Sequence, residues 1–267
     1  NDTLWEPPTN TPAVIAGEGA DVSIENVSIL TTKAAIEATD SAKIHIADAN
    51  IDFASTFGTY GITGVDATVS ASNVAIIGAP WGAVRIDGGT FSGDKLTIDQ
   101  ATAYGVHFDG GAIGTITNST ITNTTYTDDG TGTIFDGVGI YATGASSVTT
   151  DSNVYTDNIL ASVYAEVADA SLNNDIADNT LGQYYGVIGD TGLVALTNCS
   201  IANPYSWGVA TITGSLVLVD THVSTSPELS FTSSIDKKGN ISLGSMGIVA
   251  IGGTMDITGG SVSGFNS

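Results

Sequence analysis

One short phrase of alternating apolar and polar positions, apolar-x-apolar-x-(Asn/Asp)-x-x-apolar, recurs along nearly the whole chain. It reads VSIENVSI from Val22, IHIADANI from Ile44, VSASNVAI from Val69, GTITNSTI from Gly114, VALTNCSI from Val194 and LVLVDTHV from Leu216. Alternation with period two predicts a strand with one buried face, and the Asn or Asp behind it tolerates the left-handed backbone of a tight turn. Each phrase therefore reads as a strand running into a corner. Stacked side-chain amides at that corner, from Asn26 through Asn73, Asn118 and Asn198, are expected to hydrogen-bond along the stack.

A second phrase, aromatic-Gly-apolar, alternates with the first. It reads YGITG from Tyr60, YGVHF from Tyr104, YGVIG from Tyr185 and WGVAT from Trp207, with looser copies such as VGIYA, ASVYA and MGIVA. Glycine lets the chain turn into the strand without a Cβ clash, and the aromatic ahead of it covers the corner. First-phrase anchors fall at Ile24, Ile46, Ala71, Ile98, Ile116, Val148, Leu172, Leu196, Leu218 and Ile257. Second-phrase anchors fall at Ile36, Ile62, Val84, Val106, Ile140, Val163, Val187, Val209 and Ile248. The step from a second anchor to the next first anchor is 8 to 10 residues in eight of nine cases, the exception being 14 from Val84 to Ile98.

A fixed corner on one side and variable loops on the other are the marks of a solenoid. The expected fold is all-β: a right-handed, single-stranded parallel β-helix of about ten coils, each of roughly 22 to 26 residues, with three strands per coil. The third strand lies around Ile29, Ile51 and Ile76. Residues 1–18 read as an N-terminal cap or linker and 19–267 as the helix, with loop insertions at 122–137 and 224–244. No amphipathic helical stretch separates the strands, which excludes a doubly wound α/β fold, and a β-sandwich is the remaining rival.

The two phrases resemble the right-handed parallel β-helix superfamily of pectate lyases, polygalacturonases, phage tailspikes and autotransporter passenger domains. The resemblance covers roughly residues 19 to 264 and implies the fold; enzymes, adhesins and structural rods all share it. The NTD, GHG and RIK motifs of polygalacturonases do not occur here.

Composition narrows the partners. Six Lys and Arg against 28 Asp and Glu leave a formal charge of −22, which repels nucleic acid and anionic lipid surfaces. No stretch is apolar enough for a membrane span, so no membrane insertion is expected. The single cysteine, Cys199, excludes an internal disulfide framework and is expected to be a small core residue. An extracellular or cell-surface location is inferred, with further domains or copies flanking the chain.

Candidate chemistry follows from stacking, since equivalent positions of neighbouring coils lie about 4.8 Å apart. The residue after each second anchor points outward, which stacks Arg85, His107, Tyr141 and Tyr164, and the position two further on stacks Asp87 and Asp109, with Glu166 beyond. Two readings follow. In one, Arg85 and His107 offset the repulsion between Asp87 and Asp109 in a surface network. In the other, these residues with Tyr141, Tyr164 and Glu166 bind a polysaccharide, and in an enzyme Asp87, Asp109, Arg85 and His107 would be the catalytic set. Asp128, Asp129 and Asp136 in the Gly-rich insertion are candidate Ca²⁺ ligands. An acidic stripe through Asp40, Asp66, Asp87, Asp109, Glu166 or Asp169, and Asp190 offers further carboxylates for Ca²⁺.

The leading expectation is a noncatalytic structural or adhesive surface module meeting a polysaccharide or a surface protein. The alternative is a carbohydrate-binding or polysaccharide-cleaving β-helix.

Overall fold

The computed structural model describes residues 12–31, 34–53, 60–125, 137–178, 184–225, 234–235, 241–242 and 246–265. Among the described residues every regular element is a strand. Second-phrase strands form a ten-stranded sheet that runs from Val14–Ala16 through Ile36–Thr39, Tyr60–Val65, Gly82–Asp87, Tyr104–Asp109, Val138–Ala142, Ala161–Ala165, Tyr185–Gly189 and Trp207–Thr211 to Met246–Ala250. All its pairings are parallel, and the anchors pair in the expected register: Ile36 with Ile62, Ile62 with Val84, Val84 with Val106, Val106 with Ile140, and so on to Val209 with Ile248. Its first rung, Val14–Ala16, lies inside the segment read from the sequence as a cap or linker.

First-phrase strands and the third series share an eighteen-stranded sheet, again parallel throughout. Ile29 pairs with Ile51, Ile51 with Ile76, and Ile76 with Ile98. Consecutive parallel strands separated by a full turn of chain make a β-solenoid and rule out the sandwich, which needs antiparallel hairpins. The one antiparallel pair among the described residues, Ser234–Ile235 with Ile241–Ser242, sits within the second insertion.

Two first-phrase anchors are corrected. Ile98 belongs to the third series; the true partner of Ala71 and Ile116 is Gly93. The step from Val84 then becomes 9 residues, and the one exceptional spacing disappears. Thr150, in place of Val148, is the partner of Ile116 and Leu172. Both misassignments have one cause: a glycine and a threonine occupy inward positions where hydrophobicity was the guide. Phe91 and Leu96 fill the space at Gly93, where an added Cβ would lie 2.6 Å from the Leu96 side chain.

At the corner the sequence reading holds. Asn26, Asp48, Asn73, Asn118, Asn174, Asn198 and Asp220 all adopt φ between 46° and 55°. Their side chains link successive coils: Asn73 Nδ2 donates to Asp48 Oδ1 at 2.6 Å, Asn118 to Asp94 at 2.7 Å and Asn174 to Asp151 at 2.8 Å. Asn123, in a glycosylation sequon, makes the same contact with Asp99 at 2.7 Å.

Glycine in the second phrase serves close packing. A Cβ on Gly105 would lie 2.5 Å from the Gly139 carbonyl oxygen and 2.5 Å from Ile121 Cγ2, so the next coil closes directly on the bare Cα.

The core is a continuous column of Ile, Val, Leu and Ala, with Cys199 fully buried in it. Immediately after the left-handed corner, however, three successive coils turn polar residues inward: Ser119, Asn153 and Asp175. Each satisfies the backbone N–H of the coil before it. Ser119 Oγ accepts from Leu96 N at 2.9 Å, Asn153 Oδ1 from Ser119 N at 2.8 Å, and Asp175 Oδ1 from Asn153 N at 2.7 Å. Hydrogen-bond partners offset much of the cost of burying such groups, and each of these has one.

Candidate functional site

The outer face of the ten-stranded sheet carries its own hydrophobic cluster, separate from the core. Val138, Leu160, Ala161, Tyr164, Ile188 and Ala210 are buried on it, with Tyr104, Tyr141, Tyr185 and Trp207 packed against them. Pairing Arg85 with His107, His107 with Tyr141 and Tyr141 with Tyr164 stacks the four side chains expected in one column. Asp87 and Asp109 pair in the adjacent column, as expected. Glu166 joins them by accepting a hydrogen bond from the Tyr141 hydroxyl. All seven candidate residues thus share one face. Asp128, Asp129 and Asp136 lie outside the described residues. Among those described, no three His, Cys, Asp or Glu side chains converge as a metal site would require.

Arg85 is engaged locally. Its guanidinium donates to Asp87 Oδ2 at 3.2 Å and lies 5.8 Å from the centre of the Tyr60 ring. Asp109 Oδ1 accepts from the Gly110 N–H at 2.7 Å, a bond within its own turn. His107 packs beside the stacked Tyr104 and Tyr141, with ring centres 4.9 and 5.1 Å away, and neither of its buried nitrogens has a hydrogen-bond partner. Burial, reinforced by the Arg85 charge, pushes its pKa down to about 4, against the weaker pull of Asp109 and Asp87. At neutral pH the ring is uncharged and serves as an aromatic.

The rings continue along the solenoid. Tyr104 and Tyr141 are stacked at 5.0 Å with planes 13° apart, and Tyr141 meets Tyr164 at 5.5 Å. Further along, Tyr185 packs on Trp207 at 5.3 Å, while Tyr184 meets Tyr205 edge-on at 5.4 Å. Each such pair contributes about 0.5–1.5 kcal/mol beyond the area it buries. Burial and the Glu166 carboxylate raise the Tyr141 phenol well above its ordinary range, and burial with Glu166 and Asp190 pushes Tyr164 up to about 12. Both phenols keep their protons at any physiological pH.

Between Leu160, Tyr164, Tyr184, Tyr185, Ile188 and Trp207 the face opens into a groove of 410 Å³. Sequence reasoning passed over it. The aromatic-Gly phrase was visible, but its aromatics were assigned to corners; Tyr185 and Trp207, one strand spacing apart, make a wall instead.

The expected acidic stripe divides. Asp40 and Asp66 occupy one column, because Thr39 pairs with Val65, whereas Asp87 and Asp109 stand one residue earlier, opposite Val65.

No family model matches the chain, and no curated protein matches it in sequence. Solved structures do. The crystal structure of pectate lyase Pel9A superimposes with a TM-score of 0.55 at 13% identity, covering 92% of this chain and 70% of that one. The chain is a parallel β-helix. An alginate lyase from Paenibacillus sp. str. FPU-7 gives a TM-score of 0.52 at 14% identity over 92% of this β-helix and 99% of the lyase. At such identities the likeness establishes the fold.

Proposed function

We propose that this β-helix is an extracellular, noncatalytic module that binds a polysaccharide along the outer face of its ten-stranded sheet. The observation that carries the reading is the row of rings from Tyr104 through Tyr141 and Tyr164 to Tyr185 and Trp207 beside an open groove. Aromatic faces set along a shallow surface suit a chain-like ligand whose units offer one apolar face each. Fold likeness to a pectate lyase and an alginate lyase, two proteins named for acting on polysaccharides, supports the ligand class.

The noncatalytic part rests on how the polar candidates are used. Arg85 is paired with Asp87, Asp109 accepts a hydrogen bond within its own turn, and the His107 nitrogens are buried beside tyrosines, which supports binding over acid–base chemistry. Affinity electrophoresis through gels containing a panel of polysaccharides tests the binding. Retardation without new reducing ends or unsaturated products is the expected result, and steady release of either product would make the chain an enzyme.

A further inference from the structure

The groove beside Trp207 differs in chemistry from what a uronate polymer requires. An anionic polysaccharide is held by cations, from Arg, Lys or a bridging metal. Among the described residues the Lys and Arg side chains are Lys43, Arg85 and Lys95; Lys43 lies on the eighteen-stranded sheet, and Lys95 lies at the corner between two of its strands, Thr90–Asp94 and Thr97–Asp99. Arg85 is engaged with Asp87.

What borders the groove is acidic. Glu166 and Asp190 stand two residues beyond Tyr164 and Ile188, just past the ends of the strands Ala161–Ala165 and Tyr185–Gly189, and the groove residue Ile212 donates its N–H to the Gly189 carbonyl next to Asp190 at 2.9 Å. An ionised carboxylate accepts hydrogen bonds and cannot donate them, so it complements hydroxyl groups and repels a second carboxylate. The floor is apolar: Leu160, Ala161, Ile188 and the faces of Tyr185 and Trp207. The Trp207 indole N–H is buried, so the ring offers the groove its face rather than a donor.

From this complementarity, resting on the polysaccharide-binding reading above, we infer that the groove takes an uncharged polyhydroxylated glycan and rejects uronate polymers. The ring faces of its sugars lie on Tyr185 and Trp207, and their hydroxyls donate to Glu166 and Asp190. A groove of 410 Å³ lies within the range of small-ligand sites, about 300–1,000 Å³, and holds a short segment of the glycan.

Isothermal titration calorimetry with soluble neutral glycans (mixed-linkage glucan, galactomannan, arabinoxylan) and with polygalacturonate and alginate, all in EDTA, tests the inference. At least one neutral glycan is expected to bind. Trp207→Ala should weaken it about tenfold or more and Trp207→Phe by less, whereas the remote surface change Ile113→Ser should leave it within about threefold. If Trp207→Ala melts early, the more exposed Tyr184→Ser replaces it. Tighter binding of a uronate polymer than of every neutral glycan would overturn this inference and leave the polysaccharide-binding face standing. Neutral binding indifferent to both Trp207→Ala and Tyr184→Ser would also overturn it by placing the site elsewhere. Binding of neither class would remove both readings.

Discussion

The backbone N–H of Asn153 donates to Oδ1 of Asp175 at 2.7 Å, inside the solenoid wall, where Asp175 is only 1% exposed. Thr150 donates to its other oxygen. Burial nevertheless outweighs these bonds and raises the carboxyl from 3.8 to about 6. Between those two values the folded state binds the proton more tightly than the unfolded chain does, so stability is lost as pH rises through the window. The contribution is about 3 kcal/mol at most. Asp175→Asn keeps an acceptor for Asn153 and a partner for Thr150 without the charge. It should melt higher than wild type at pH 7, and the advantage should vanish by pH 4; an equal difference at both pH values would refute the assignment.

His107 works in the opposite sense. Its folded pKa of about 4 lies below the ordinary 6.5, so the unfolded chain takes up the proton first and stability falls as pH drops from 6.5 towards 4. His107→Phe retains a ring against Tyr104 and Tyr141 and removes the titration. The variant should lose less stability than wild type over that range, by about 3 kcal/mol at the limit. Since the two windows overlap between pH 4 and 6, the slopes due to Asp175 and His107 oppose each other in the wild-type protein. Chemical denaturation of both single variants and the double variant across this range separates them.

Gly105→Ala places a methyl 2.5 Å from the Gly139 carbonyl oxygen and Ile121 Cγ2. The next coil must move away, and overpacking of this kind costs about 1–3 kcal/mol. Gly111, where an added Cβ meets nothing within 4 Å but φ is +76°, should lose only the strain of the left-handed backbone, about 1 kcal/mol, on changing to Ala. Urea midpoints should rank wild type first, Gly111→Ala second and Gly105→Ala last.

Asn118 combines a φ of 51° with the bond from its Nδ2 to Asp94 Oδ1. That bond, with one from Thr117, holds the Asp94 carboxyl below its usual value. Asn118→Gly relieves the backbone but removes the amide, so the Asp94 pKa followed by NMR should rise while stability changes little. Asn118→Ala should raise the same pKa and also cost about 1 kcal/mol. An Asp94 titration unmoved in both would show that the amide ladder carries no electrostatic load.

Much of this architecture is written in the chain because a solenoid reports itself as spacing. Every second-phrase anchor from Ile36 to Ile248 pairs as read, since Val or Ile occupies the inward site in every coil. The first-phrase ladder was misread only at Gly93 and Thr150, where packing is shared with neighbours and residue type no longer reveals direction. The candidate column of Arg85, His107, Tyr141 and Tyr164 was legible for the same geometric reason. Its chemistry was not. That His107 is uncharged depends on rings contributed by Tyr104 and Tyr141, and the groove depends on Leu160 and Tyr184 reaching over the face from outside the phrase. Inward polar residues such as Asp175 carried no sequence signal, because Asp after Asn reads as more of the corner.

Because both large sheets are parallel and their bonds join one coil to the next, those hydrogen bonds point along the rod. A pull on the two ends therefore loads them in series, and the weakest rung yields alone. Val84 pairs with Val106, 22 residues on, so one released coil pays out roughly 70 Å of extended chain while the rest of the stack stays folded. Such a module resists tension as a spool does, lengthening in steps and absorbing work at each one.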